Sequence, residues 1–303
     1  MNSKKNLKAF SLIELSIVIL IIGILVAGVT GSSRLVGQMR LVSARSITKS
    51  SPVTTISGLS LWYETSDENS LISAVNGNSP SNNDRISTWN DINPSQITKI
   101  NIGQTNDALR PIYTSNSPIN GLPSLLFNNN EYFELITSQP GQLPLRAGDD
   151  TYTFITVWRS LSAGYAQTVV EQNSNTVNLI SGARASMLLY FDSNWGFNGE
   201  GNDGARFPIT YNSSRIGVIT NNNGAINIYD NKLSTPTLST SIDNNLANVS
   251  DAGLFVGVKG NSARLERFYG YISEIIIFDR VLNIEEINEI SKYLARKYSI
   301  KLS

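Results

Sequence analysis

The 303 residues include no cysteine and no histidine. Without cysteine there are no disulfide staples and no thiolate chemistry, so a real core must hold the fold. Without histidine there are no Ser-His or Cys-His nucleophile systems, and the two absences together remove the usual zinc ligands. The available chemistry is that of carboxylate, lysine and tyrosine. Net charge is also missing, since 24 basic residues balance 24 acidic ones. The basic pairs near Arg264–Arg267 and Arg296–Lys297 read as ordinary solvated surface. Nothing forms a nucleic-acid groove, and nucleic acid is not an expected partner. At this length the chain can hold one anchor and one substantial domain.

One long apolar run lies at the start. From Leu15 to Ser33 there is no charged side chain, and Leu, Ile and Val dominate. About 20 apolar residues at ~1.5 Å rise cross a hydrocarbon core of ~30 Å, and this window just reaches. Lys4, Lys5 and Lys8 precede the run, as in a secretory signal. A secretory h-region, however, covers only ~7–15 residues and ends in a small-residue cleavage site. Here the small residue, Ala9, stands before the run. A plain single-span anchor explains the length but not Glu14, because a carboxylate near a membrane segment is costly and usually has a partner. Arg34, Arg40 and Arg45 follow the span as the lysines precede it, so local charge does not set its orientation.

Lys8-Ala9-Phe10-Ser11-Leu12-Ile13-Glu14-Leu15 and the run that follows closely resemble the N-terminus of bacterial type IV pilins and type II secretion pseudopilins. The resemblance implies a short leader cut between Ala9 and Phe10 by a prepilin peptidase, N-methylation of Phe10, and Glu14 as the fifth mature residue, which this family keeps as glutamate. It implies a subunit held in the bacterial inner membrane with its N-terminus cytoplasmic, which then joins other pilin or pseudopilin subunits in an extracytoplasmic filament. An incoming Phe10 amine would pair with the Glu14 of a neighbour in a poor dielectric, which favours one axial register. Two positions depart from the pattern: Ala9 replaces the usual glycine, and Gly31 stands where many major pilins have a kinking proline. With Gly28 nearby, the helix is expected to loosen there, since each glycine costs ~1 kcal/mol relative to alanine.

The apolar pattern continues as a helix to about Ser46, and Ser50-Ser51-Pro52 breaks it. The organisation expected is a leader at 1–9, a transmembrane and assembly helix at 10–48, a linker at 49–57 and a domain at 58–303. That domain reads as short β-rich runs. Thr151–Trp158, Leu254–Val258 and Tyr271–Phe278 are strands, and Ile275-Ile276-Ile277 predicts burial on both faces. Arg215–Thr220 and Ala225–Asp230 flank Asn221-Asn222-Asn223-Gly224, a hairpin signal. Asn283, with Glu286 three residues later, caps a terminal helix whose Ile287, Ile290 and Leu294 form an apolar stripe. The fold class expected is therefore mainly β with a long N-terminal α-helix: an antiparallel β-sandwich (jelly roll) head closed by a C-terminal helix.

Gly58-Leu59-Ser60-Leu61-Trp62-Tyr63, Ile86-Ser87-Thr88-Trp89-Asn90-Asp91, Asn120-Gly121-Leu122-Pro123 and the ending Tyr269–Arg280 look like concanavalin A-like (laminin-G-like) domains of bacterial surface proteins. That resemblance implies a two-sheet antiparallel jelly roll of the kind used for carbohydrate and protein binding and by some glucanases. A glucanase of this class carries paired acids at alternate strand positions. No such pattern occurs: Glu131 with Glu134 has the wrong spacing, and Glu285, Glu286 and Glu289 lie on the helix. Trp62 and Trp89 read as core anchors. The loop from Tyr190 to Asp203 is the candidate ligand site. Tyr190, Asp192, Asn194, Trp195, Asn198 and Asp203 combine flat aromatic faces with amide and carboxylate groups, as sugar recognition needs. Asp192, Asn194, Glu200 and Asp203 also offer hard oxygen ligands for Ca²⁺, although their spacing matches no complete calcium loop. No other cofactor is expected. The function expected is a non-enzymatic, minor pilin-like subunit that displays its head for adhesion to a glycan or surface protein. The alternatives are a secretion pseudopilin, or a carbohydrate-binding module on a pilin anchor.

Overall fold

The computed structural model describes residues 12–136, 143–145, 151–162, 164–174, 184–201, 203–242, 252–260 and 263–303. Among the described residues, seventeen strands form two sheets flanked by two α-helices. The first sheet runs, in spatial order, β15 (Leu238–Ser241), β14 (Ala225–Asp230), β13 (Arg215–Asn222), β8 (Thr151–Ser160), β17 (Tyr269–Phe278), β6 (Ser124–Asn128) and β5 (Ile112–Thr114). The β8 strand lies along one edge of β17; β6 and β1 (Leu59–Glu64) share the other edge. The second sheet runs β12 (Asp203–Pro208), β11 (Asn194–Glu200), β10 (Arg184–Leu189), β9 (Gln167–Ser174), β16 (Ala252–Val256), β7 (Phe133–Leu135), β4 (Ile102–Gly103), β3 (Ile86–Trp89) and β2 (Leu71–Ser73). Every strand pair among the described residues is antiparallel.

Two apolar layers follow from strand parity. Between the sheets, Phe154, Trp158, Met187, Trp195, Phe197, Ile275 and Ile277 are fully buried. Ile276 points the other way, into a second layer beneath α2 (Ile284–Tyr298). The triple isoleucine is thus covered on both faces, as its sequence predicts. Edge-on aromatic contacts link Trp195 to Trp158 (5.6 Å between ring centroids), Trp158 to Phe268 (6.4 Å) and Phe268 to Phe127 (6.0 Å). Each such pair adds about 0.5–1.5 kcal/mol beyond its buried area. Trp62 and Trp89 are buried anchors.

Local chemistry sets the turns and ends. In the β13–β14 hairpin Asn222 pairs with Ala225, so Asn223 and Gly224 form the two-residue loop. Both have positive φ, 50° and 88°, the geometry of a type I′ turn. At the terminal helix the Asn283 side chain accepts from the Glu286 N–H (3.0 Å), and the Asn283 N–H donates to Glu286 (2.9 Å), which closes the capping box.

Some boundaries differ from expectation. The strand expected at Leu254–Val258 lies at Ala252–Val256, and those at 151 and 271 extend to Ser160 and back to Tyr269. The first helix, α1 (Leu12–Lys49), continues past Ser46 and is unbroken through Gly28 and Gly31. Helical hydrogen bonding there outweighs the glycine penalty. Residues 49–57 contain a 3-10 turn (Pro52–Thr54), whose Val53 is buried with Ile56 in the second apolar layer.

Candidate functional site

Three features carry functional chemistry: the free part of α1, the junction where α1 meets the domain, and the outer face of the second sheet. Ala9 and Phe10, the expected processing site, lie outside the described residues. Glu14 lies in the first turn of α1, and its side chain is likewise outside the described residues. From Leu12 to Val26 the described apolar side chains are exposed, including Leu12, Ile13, Leu15, Ile19, Leu20 and Ile24. A helix apolar on every side must be covered by lipid or by other helices. Its 38 residues extend about 57 Å at ~1.5 Å per residue. Among the described residues no helix is long and apolar enough to cross a membrane. The expected span, Leu15–Ser33, includes residues 27–31 and 33, whose side chains are not described.

The last turns of α1 are docked. Ala44 and Thr48 are buried, and Ile47 packs on the second apolar layer. Arg45 donates to the Ser66 carbonyl (2.8 Å) and pairs with Glu68. Below this contact lies a closed ionic cluster. The Lys297 ammonium donates to Glu64 (2.6 Å) and Glu274 (2.9 Å), and all three side chains are at most 1% exposed. Glu274 also accepts from Trp62 Nε1 (2.8 Å) and from the hydroxyls of Tyr293 (2.8 Å) and Tyr298 (2.9 Å). Glu64 accepts from the backbone N–H groups of Ser66 (2.8 Å) and Asp67 (2.7 Å). The Thr48 hydroxyl of α1 stands 3.5 Å from that of Tyr293. Burial pushes the Glu274 carboxyl up, with Glu64 adding to the shift and Lys297 opposing it. Burial alone would lower the Lys297 ammonium, but Glu274 and Glu64 outweigh it and hold it above the ordinary lysine value. The expectation of solvated basic surface fails here, because Lys297 sits on the α2 face that packs against β1 and β17. Arg264 and Arg267 are engaged too: Arg264 pairs with Glu134 (2.7 Å) and lies over the Phe255 ring, and Arg267 donates to the Asn130 carbonyl (2.7 Å).

On the outer face of the second sheet, parity sorts the candidate loop. Trp195 is fully buried among core aromatics and offers no face to a ligand. Asn194, Asn198 and Glu200 have the opposite parity. The Tyr190 hydroxyl donates to the Phe197 carbonyl (2.6 Å) and accepts from Asn198 Nδ2 (3.2 Å). Arg206, which sequence reasoning missed, stacks 4.5 Å above the Tyr190 ring and approaches Asp192 at 3.4 Å. Gly196 permits this, since a Cβ there would lie 1.9 Å from the Ala205 carbonyl oxygen on β12, the strand that carries Arg206. Tyr190, Asn198, Gly201, Gly204 and Arg206 line a cleft of about 220 Å³. Asn194 pairs with Pro208 and does not line it; Asp203 opens β12, and its side chain is outside the described residues.

Behind the cleft is a second buried cluster. Arg184 donates to Glu171 (2.6 Å), Glu200 (3.0 Å), Glu266 (2.7 Å) and Asn198 (3.3 Å). Lys259 also binds Glu200 (2.9 Å) and Glu266 (3.4 Å). Burial raises the Glu171 carboxyl; it would also raise Glu266, but Arg184 overcomes it and holds Glu266 below the ordinary glutamate value. These acids are clamped by cations rather than turned toward a substrate. Among the described residues no group of three acids is placed to hold a metal ion, and of the proposed calcium ligands Glu200 and Asp192 face cations.

Residues 4–30 match the prokaryotic N-terminal methylation motif. The chain joins a prepilin-type N-terminus to a β-sandwich. No curated protein matches the sequence. Among solved structures, a GH54 α-L-arabinofuranosidase soaked with a cyclic sulfate inhibitor is similar at 10% identity and a TM-score of 0.57, over 79% of this chain and 63% of that one. Domain 4 of a GH43 extracellular arabinanase from Geobacillus stearothermophilus, in complex with arabinotriose, gives 14% identity and a TM-score of 0.49, over 77% of this chain and 98% of that one. A Trypanosoma rangeli sialidase in complex with sialic acid gives 9% and 0.48, over 82% of this chain and 35% of that one. The chain therefore spans less than two thirds of the arabinofuranosidase and about a third of the sialidase. At 10% identity the likeness to the arabinofuranosidase is one of fold alone.

Proposed function

We propose that this chain is a pilin-like subunit of a type IV pilus-type filament, held in the inner membrane before assembly, with its β-sandwich displayed outside the cell to recognise glycans. The observation that carries this is the joining of the methylation motif to a helix whose described apolar side chains from Leu12 to Val26 are exposed. Such a surface is stable only in lipid or against other apolar helices. Glu14 pairs with the Phe10 amine of a neighbour during assembly. The buried cation–carboxylate clamps of the head favour binding over catalysis.

Mass spectrometry of filament-derived protein is expected to give a chain that begins at a methylated Phe10. Glu14→Gln keeps the shape of the side chain and removes its charge. Cleavage and membrane insertion are expected to survive, while incorporation into sheared filaments falls roughly tenfold or more, as for loss of a charge pair in a poor dielectric. An intact leader in filaments, or wild-type incorporation of Glu14→Gln, refutes the assembly mechanism.

A further inference from the structure

We propose that the cleft beside Arg206 is a binding site for a carboxylate-bearing sugar, an assignment that rests on the reading of the head as a glycan-recognition domain. Size is the first argument. At ~30 Å³ per water, 220 Å³ corresponds to about seven waters, which suits one sugar ring rather than a folded partner. The second argument is the cation. Arg206 is 43% exposed, and among the described residues its ion pairing is confined to the 3.4 Å approach of Asp192, itself 32% exposed. A pair this long and this wet is weak. Most of the five guanidinium N–H donors are therefore open to a planar acceptor, and a carboxylate matches that fork with two parallel bonds.

The third argument is preorganisation. Stacking on Tyr190 sets the plane of the guanidinium. Tyr190 is in turn tied to the Phe197 carbonyl and to Asn198, and Asn198 to the buried Arg184. The wall of the cleft is thus fixed before a ligand arrives, which reduces the ordering cost of binding. Finally, Phe191, at the tip of the same hairpin, is 65% exposed. It gives this hairpin an exposed flat apolar face, of the kind a sugar ring uses through its C–H groups and an acidic peptide side chain does not.

The test is titration of the full chain in detergent micelles with tri-galacturonate and its methyl ester, 3′-sialyllactose and lactose, and tri-glutamate. The acidic sugars are expected to bind at least tenfold tighter than their neutral counterparts and than tri-glutamate, with affinity falling as salt rises. Arg206→Gln is expected to lose at least tenfold, and Arg206→Lys to recover part of that loss. Asp192→Asn removes the competing carboxylate and is expected to tighten binding several-fold, a gain that damage to the fold does not produce. Equal binding of neutral and acidic sugars, equal binding of tri-glutamate, or undiminished binding by Arg206→Gln overturns the assignment, as does the absence of binding to any sugar. Equal binding of the neutral sugars would leave glycan recognition standing while removing the carboxylate. None of these outcomes touches filament incorporation, which Glu14→Gln reads separately.

Discussion

Replacing Lys297 with methionine keeps most of the side-chain volume and removes the cation shared by Glu64 and Glu274. Glu274 would keep three protein donors, from Trp62, Tyr293 and Tyr298. Glu64 would keep the N–H groups and hydroxyl supplied by Ser66 and Asp67. Neither carboxylate would retain a countercharge in the cluster. Removing one partner of a buried pair costs about 3–5 kcal/mol. With two carboxylates stranded, the upper end applies, about 5 kcal/mol, a large fraction of the ~5–15 kcal/mol that separates folded from unfolded domains. At roughly 2–4 °C per kcal/mol for a domain of this size, melting should fall by about 10–20 °C. Circular dichroism of the full chain in detergent at pH 7 measures it. Acidification supplies a sign. The Glu274 carboxyl is already raised by burial, so the folded state holds its proton more tightly than the unfolded chain, and stability falls as pH rises from the unfolded value of about 4.3 through the folded one. Loss of Lys297 raises Glu274 further, so the gap between variant and wild type should narrow as pH is lowered from 7 toward 5. Adding Glu274→Gln to the variant should recover part of the loss at pH 7. A single-variant loss below about 1 kcal/mol would refute the cluster's role.

Two further perturbations test local structure. Asn283→Ala removes the capping box of α2 and is expected to cost about 1 kcal/mol, read as a melting shift of roughly 2–4 °C. Gly224→Ala places a Cβ at φ 88°, 2.1 Å from the Ile242 carbonyl oxygen. It should destabilise by more than the ~1–2 kcal/mol of left-handed strain alone, while Asn223→Gly, in the same turn, should be nearly neutral because glycine tolerates positive φ.

The sequence was most informative where one local rule governs a segment. The Asn-Gly turn, the Asn283–Glu286 cap and the isoleucine run of β17 each obey such a rule, and each appears as expected. The motif at residues 4–30 was legible because it combines leader charge, a small residue and a long apolar run in fixed order. Lys297 reads as solvated surface because a lysine near a helix C-terminus suits the dipole wherever it points, so nothing local marks it as buried; its burial depends on β1 and β17, far away in sequence. Composition puts Trp195 in the candidate ligand loop, whereas strand parity turns it into the core. Reading Asn194–Glu200 as a strand would have sent the odd positions inward and kept Asn194, Asn198 and Glu200 on the outside. Arg206 offered no local signal at all. Its neighbours Tyr190 and Asn198 come from two other segments, and the close approach of the strands that permits the stack depends on Gly196.

The junction also decides how the head responds to being pulled. While Ala44, Arg45 and Thr48 dock the last turns of α1 beside Tyr293 and the Lys297–Glu274 pair, a load applied along the helix is carried by the backbone through residues 50–58 into β1 and from there to its partner strand, β17. That strand is held by β8 along one edge and by β1 and β6 along the other. To yield there, the domain must slide the strand against several hydrogen bonds at once rather than peel it from an end. A chain with no covalent cross-link between its strands can thus act as a stiff tether, its tensile strength set by the central strand rather than by the exposed edge strand at Leu238–Ser241.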